Sequence, residues 1–366
     1  MRVLLVSANY KPSVGGIERY VENLAHGLAG RGHSVTVAAC LTNGGLKLEQ
    51  DGEVAVVRIP ATDVLDEKLN VPYPLPNPVA AWRTLRRLMG EVDVVHAHDA
   101  LYTTSVLSLA LARRAHVPAI LTQHVAFVPQ RSRSLDAAQR AAIATLGRSA
   151  RLATRVVSYN PEVGAWAAST WRLGEVRVLP PGVPGLHHEV DRGAVRRTFG
   201  LREDRFTALF VGRDVPKKGL ELFLAARDPA YELVAVTDRD PSSAPEGTRI
   251  LPFVDPTTFR ELLASVDAFV LPSEAEGFPL ALQEALVTGL PCVVTPGPGY
   301  ERYLREGEVI FVGRDGAEIR DALLGLAGDE SWRRQVAEQA RAAGRREFGL
   351  EPFISAHEDL YREVLR

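Results

Sequence analysis

The feature that most limits how this chain can fold is a rhythm of short apolar runs. In the first half, "RVLLVS" (Arg2 to Ser7), "HSVTVAAC" (His33 to Cys40), "VAVVRI" (Val54 to Ile59), "VDVVHAH" (Val92 to His98), "AILTQH" (Ala119 to His124) and "TRVVSYN" (Thr154 to Asn160) mostly alternate with stretches of helical period. The first such stretch places Ile17, Tyr20, Val21, Leu24 and Leu28 at helical spacing. Short, continuously apolar runs separated by such stretches predict a parallel sheet with helices on both faces. The Pro- and Gly-rich "VLPPGVPGLHHE" (Val178 to Glu189) then reads as a linker, with a boundary near Pro180 to Gly185. A second series follows: "FTALFVG", "YELVAVT", "RILPFV", "DAFVLPS", "PCVVTP" and "EVIFVG", with a helical stretch at Leu280 to Thr288. Two successive α/β domains are expected, and no repeat of a solenoid or propeller is evident.

Composition agrees with a chain that buries a core: 366 residues, 46% apolar, 24% charged, net charge −2. Cys40 and Cys292 stand far apart without a Cys/His cluster, so neither a disulfide framework nor a zinc site is expected, and a reducing compartment fits. "VLSLALA" (Val106 to Ala112) falls short of a membrane span and "MRVLLVSANY" is too quickly polar for a signal peptide, so the expected location is cytoplasmic. The small net charge hides an asymmetry. Residues 1–180 hold 20 Lys+Arg against 14 Asp+Glu, and ten arginines lie between Ala100 and Arg177 against three acids. This excess reads either as a solvated helix face or as the footprint of an anionic partner. Arginines from Arg131 to Arg155 suggest an anionic acceptor or a peripheral contact with an anionic membrane; no nucleic-acid partner is expected.

Three stretches carry candidate chemistry. Gly15 and Gly16 precede the first helix, where unhindered backbone amides and the positive helix end can meet an anion; a plain turn is the alternative. "VGRDVPKKGL" sets Arg213, Lys217 and Lys218 in a Gly-bounded loop, although the chain has only five lysines. A guanidinium fork and a mobile ammonium suit a diphosphate, and a solvated basic turn is the alternative. "PSEAEGFPLALQEALVTGLP" places Glu276 in a loop and Glu284 inside the following helix. The Glu284 carboxylate can accept from two vicinal hydroxyls, and the amides around Phe278, Pro279 (carbonyl only) and Leu280 can hold phosphate or sugar oxygens. His96, His98 and His124 end two strands, where ligands of parallel sheets bind, but they lack metal-ligand spacing and no metal is expected.

In this order and spacing, "GG" at Gly15 and Gly16, "RGHSVTV", "DVVHAH", the strand-end His124, "VLPPGV", "VGRDVPKKG", "LPSEAEGFPLALQEAL" and "GLPCVVTPGPGYE" resemble family 4 of the retaining glycosyltransferases over nearly the whole chain. The resemblance implies the GT-B fold: two facing Rossmann-like domains with an interdomain cleft. Residues 1–182 would be the acceptor-side domain, 183–346 the nucleotide-sugar domain, and 347–366 a helix crossing back to the first. It also implies transfer of a hexose or N-acetylhexosamine from a UDP- or GDP-sugar to a hydroxyl acceptor, with no cofactor beyond that donor. Arg213 and Lys218 would hold the diphosphate, Glu284 the ribose, Glu276 the transferred sugar. Gly16, with Gly15, would approach the distal phosphate, His124 would lie near the sugar, and Val254, Phe278, Pro279 and Leu280 would complete the pocket. Glu276, His124, Arg213 and Lys218 are the expected catalytic set. Alternatives are a nucleotide-sugar 2-epimerase of related architecture and an inactive transferase-like subunit. The sequence departs from the family at Thr237 and Asp238, where glycines are common, and at Pro298 before Glu301.

Overall fold

The computed structural model describes the chain except for Val14, Asn43, Leu46 and residues 70–72, 128–131, 187–188, 275–278 and 298–300, and except for the side chains of Lys68 and Leu69. Its contacts divide it into two compact units, Met1–Gly182 with Glu351–Arg366, and Val183–Leu350.

Unit 1 contains β1 (Arg2–Val6), β2 (Ser34–Thr42), β3 (Lys47–Asp51), β4 (Val54–Thr62), β5 (Leu75–Pro76), β6 (Val94–His98), β7 (Ala119–Gln123), β8 (Arg155–Ser158) and β9 (Val176–Val178). The sheet order is β3-β4-β2-β1-β6-β7-β8-β9, with β5 on β4; β3 and β5 run antiparallel to β4 and the other pairs are parallel. Its helices are α1 (Gly16–Gly30), α2 (Val64–Leu69), α3 (Pro78–Leu88), α4 (Thr103–Ala115), α5 (Arg133–Thr145) and α6 (Pro161–Trp171). All six expected strands are present. The polar "KLEQD" of β3 gives no apolar signal because this edge strand keeps both faces largely in solvent.

Unit 2 is a parallel sheet of order β12-β11-β10-β13-β14-β15, built from β10 (Thr207–Val211), β11 (Glu232–Val236), β12 (Thr248–Leu251), β13 (Ala268–Leu271), β14 (Cys292–Val294) and β15 (Ile310–Phe311). Its helices are α7 (Arg192–Thr198), α8 (Leu220–Ala225), α9 (Pro256–Ser265), α10 (Leu280–Thr288), α11 (Gly316–Gly328) and α12 (Glu330–Phe348). Phe210, Phe223, Leu233, Val270, Ile319 and Leu323 form the core on one face of this sheet. Local sequence fixes the helix starts. Asn77, Asn160 and Asp255 cap α3, α6 and α9 through their side chains, each followed by a proline whose missing N–H costs nothing there.

The last helix, α13 (Leu350–Val364), belongs almost wholly to unit 1. The chain crosses at Leu350–Glu351 rather than at Glu347, because α12 continues through the buried Phe348 before breaking at Gly349. Pro352 sits in the first turn of α13, where proline is tolerated. Cys40 and Cys292 are both free and buried. Among the described residues, no helix is long and apolar enough to cross a membrane.

α10, which carries Glu284, is seated by α12 through Gly344. A Cβ there would meet the Leu286 carbonyl carbon at 2.5 Å and the Val287 nitrogen at 2.6 Å. Gly344→Ala is therefore expected to cost about 1–3 kcal/mol of unfolding free energy in urea titrations. Gly328→Ala, whose Cβ meets nothing within 4 Å, should stay within about 0.5 kcal/mol of wild type.

Candidate active site

In unit 2 the strand order reverses between β10 and β13, the switch point beside which open α/β sheets leave a crevice at their carboxyl edge. The loop after β10 carries Arg213, exposed, and Lys218, half-buried at the end of the turn Pro216–Lys218. The segment after β13 begins with Pro272, Ser273 and Glu274, and α10 follows at Leu280. Gly219 makes their contact possible: its φ of 75° is left-handed, and a Cβ would meet the Pro272 carbonyl oxygen at 2.2 Å. The Glu274 N–H donates to the Lys217 carbonyl at 2.8 Å, and Arg314 spans both loops, 3.0 Å from Glu274 Oε2 and 3.3 Å from the Pro216 carbonyl.

Pro279 is the N-cap of α10 and Leu280 its first residue, so the helix presents first-turn amides without a capping side chain. Glu284 is buried one turn in, with Oε1 3.9 Å from Arg260 Nη1. Its neighbour Gln283 is also buried, and neither amide atom finds a hydrogen-bond partner among the described residues. Val254 follows β12 at the same edge. Glu276 and Phe278, like Pro298, lie outside the described residues.

Thr237 and Asp238 brace the loop after β10. Asp238 Oδ1 accepts from the Asp214 N–H at 2.6 Å and the Thr237 hydroxyl at 3.3 Å. The Asp214 N–H is the main reason that the Asp238 carboxyl titrates below its ordinary range, with the Arg213 charge a smaller one. Arg239 chelates Asp214 at 2.8 and 3.0 Å and pairs with Glu221.

Unit 1 has its own reversal, between β1 and β6. Gly15 is the N-cap of α1, the first helix after β1, and Gly16 opens it; a Cβ on Gly16 would meet nothing within 4 Å, so the fold does not itself demand glycine there. Alternation along β6 and β7 puts His96, His98, Thr122 and His124 on one face. His96 is bonded to the Tyr361 hydroxyl at 2.8 Å and the Thr122 hydroxyl at 2.6 Å, so it packs the sheet against α13 rather than facing a ligand. His98 Nδ1 lies 3.1 Å from His124 Nε2, while its own Nε2 is buried without a partner among the described residues. His124 is 5% exposed and stacks near Tyr159.

Two families match this chain. Residues 14–184 match the one described as Glycosyltransferase Family 4, and residues 243–343 the one described as Glycosyl transferases group 1, together more than half of the chain. The chain is a family 4 glycosyltransferase. D-inositol 3-phosphate glycosyltransferase of Xylanimonas cellulosilytica is 26% identical over 423 residues, covering 100% of this chain and 97% of that protein. HepE of Anabaena, solved with UDP, has a TM-score of 0.70 at 16% identity over 99% of this chain and 100% of its own. The catalytic domain of starch synthase IV from Arabidopsis thaliana, solved with ADP and acarbose, gives 0.69 at 15% identity over 100% and 99%. The fold of this glycosyltransferase is thus GT-B.

Several residues of the glycosyltransferase escaped the sequence reading. His357 bonds the Tyr20 hydroxyl at 2.9 Å, and with Tyr361 it closes the histidine cluster from α13; their spacing of one helical turn was the only available signal. Asp99, at the carboxyl end of β6, is buried with a left-handed φ of 64°, and burial pushes its carboxyl up to about 6. Burial, with neighbouring imidazoles second, holds His96 and His98 well below the usual histidine range and His124 at about 3; His357 is lowered to about 4 by burial.

These histidines fold neutral and take up protons only when the chain unfolds. Their depressed values leave stability fully present above pH 6.5 and remove it as pH falls from there toward 4. The slope of unfolding free energy against pH, measured between pH 5 and 6, should decrease by about one proton in His357→Gln. An unchanged slope would show that His357 is already charged in the folded chain.

Proposed function

We propose that this glycosyltransferase moves a hexose or N-acetylhexosamine from a UDP- or GDP-sugar to a hydroxyl of a glycan, glycolipid or small molecule, with retention at the anomeric carbon. The observation that carries the reading is the tie between the Arg213–Lys218 loop and the loop entering α10, at the switch point of unit 2. It gathers a guanidinium, an ammonium and the amino end of a helix at one strand edge.

Breaking the anomeric bond leaves negative charge on a diphosphate. Arg213 takes its oxygens through a planar fork, Lys218 adds a point charge, and the first-turn amides of α10 donate without reorganising as the charge grows. The buried Glu284 accepts from the two ribose hydroxyls, and Val254 lies against the base. Glu276 holds hydroxyls of the transferred sugar. On unit 1, the amides at Gly15 and Gly16 take a phosphate oxygen, and the neutral His124 takes a sugar hydroxyl. In a same-face route the departing phosphate receives the acceptor's proton, so no covalent nucleophile and no divalent ion is needed. HepE was solved with UDP and starch synthase IV with ADP, which supports a nucleoside diphosphate and leaves the base to the loops, here shaped by Asp238 and Arg239.

Melting temperatures measured with UDP, GDP and ADP should rise for the cognate base, and turnover should be indifferent to EDTA. Lys218→Ala and Glu276→Ala are each expected to lower turnover on the order of 100-fold while circular dichroism and melting stay unchanged. Wild-type turnover in both would overturn the assignment. Gly16→Ala should keep its melting temperature yet lose turnover, because its Cβ enters space that the fold leaves open.

A further inference from the structure

Much of the arginine excess of the first half lies away from the carboxyl edge of the unit 1 sheet, where Gly16, Asp99, His124 and the start of α5 at Arg133 lie. Arg113 and Arg114 end α4 ahead of β7, Arg151 lies in the turn before β8, Arg155 opens β8, and Arg172 follows α6 ahead of β9. These positions belong to the amino edge of the same sheet.

Four arginines there, Arg151, Arg155, Arg172 and Arg177, line a cavity of about 440 Å³ whose only acidic lining residues are Glu175 and Glu363. That volume is within the roughly 300–1,000 Å³ of small-molecule sites. One carboxylate is already held in it: Glu363 of α13 accepts from Arg155 Nε at 2.9 Å and from Arg177 Nη2 at 3.0 Å. Arg151 is fixed by donating from Nε to the Trp171 carbonyl at 2.7 Å. Arg172, in a left-handed backbone conformation with φ 51°, has no ion-pair partner among the described residues. The cavity therefore contains two guanidiniums already chelating an oxyanion, and two more whose charge no carboxylate answers.

We propose that this cavity is a second ligand site of the protein, for a phosphate-type oxyanion, and that the ligand competes with Glu363 for Arg155 and Arg177. Guanidinium forks match the planar pairs of oxygens that phosphate presents, and an ammonium-poor, arginine-rich lining favours that geometry over a bare point charge. Arg155, Arg177 and Glu363 are 49%, 43% and 36% exposed, so the internal ion pair is screened and cheap to displace, and the binding is salt-dependent. The ligand would also report on α13, since Glu363 is one of that helix's attachments to unit 1. This site is independent of the donor site proposed above.

The test is isothermal titration of the full chain with inorganic phosphate at constant ionic strength, in a Lys218→Ala background that weakens the donor site. One phosphate per chain is expected to bind. Adding Arg172→Ala and Arg177→Ala should weaken it on the order of tenfold or more. Glu363→Gln, which removes the internal competitor, should tighten it, and Arg133→Ala on α5 should leave it unchanged. Absence of saturable binding, binding indifferent to the arginine pair, or binding no tighter in Glu363→Gln overturns the proposal. The Glu363→Gln arm decides the matter even if the double arginine variant folds poorly. Sedimentation with phosphatidic acid vesicles against phosphatidylcholine vesicles separates the sources. Recruitment that depends on Arg172 and Arg177 assigns a lipid headgroup, and solution binding without recruitment assigns a free phosphate compound.

Discussion

The candidate donor site depends on how closely two loops of unit 2 can approach. Gly219 stands where any side chain would collide with the Pro272 carbonyl, and its left-handed backbone turns the chain from the Lys-rich turn into α8. With that contact made, one backbone hydrogen bond from Glu274 to Lys217 joins the loops following β10 and β13. The cations are thereby placed beside the entrance to α10 by main-chain geometry, which does not fluctuate as long side chains do. α10 is seated in the same way, because α12 meets the Leu286–Val287 backbone at Gly344.

Unit 1 solves a different problem. Its sheet carries imidazoles where aliphatic side chains would ordinarily pack, and each buried polar ring must be satisfied. The C-terminal helix supplies part of the answer through His357 and Tyr361, while Glu358 anchors it by accepting from Arg31 at 2.8 Å and pairing with His33 at 2.6 Å. A segment remote in sequence thus completes the layer under His98 and His124. One fully buried ring nitrogen in that layer, His98 Nε2, has no hydrogen-bond partner among the described residues.

Most strands of both sheets were legible because strands buried on both faces must be apolar throughout. β3 was not, because an edge strand in solvent has no composition to betray it. The loop cations and Glu284 stood out in the sequence as residue types in Gly- and Pro-bounded stretches, and the structure adds the loop contact and the burial of Glu284. The roles of Asp238 and Arg239 were not legible: Asp238 appeared only as a departure from a glycine-rich turn, and their bracing of Asp214 exists through contacts across more than twenty residues. Asp99 was equally silent, since its burial and backbone conformation belong to the folded sheet.

The sequence by itself determined two α/β domains, the linker between them and where most of their strands and helices lie. These follow from periodicity and from local backbone chemistry, which neighbouring residues settle among themselves. Tertiary structure alone decided which histidines are sealed and neutral, which departures from the family brace a loop, and where the arginine excess is displayed. The arginines looked like part of the reacting side while they were counted along the chain. Strand direction places Arg113, Arg114, Arg151, Arg155, Arg172 and Arg177 at the opposite edge, because a helix returning antiparallel to its strands delivers its last turn to their amino ends.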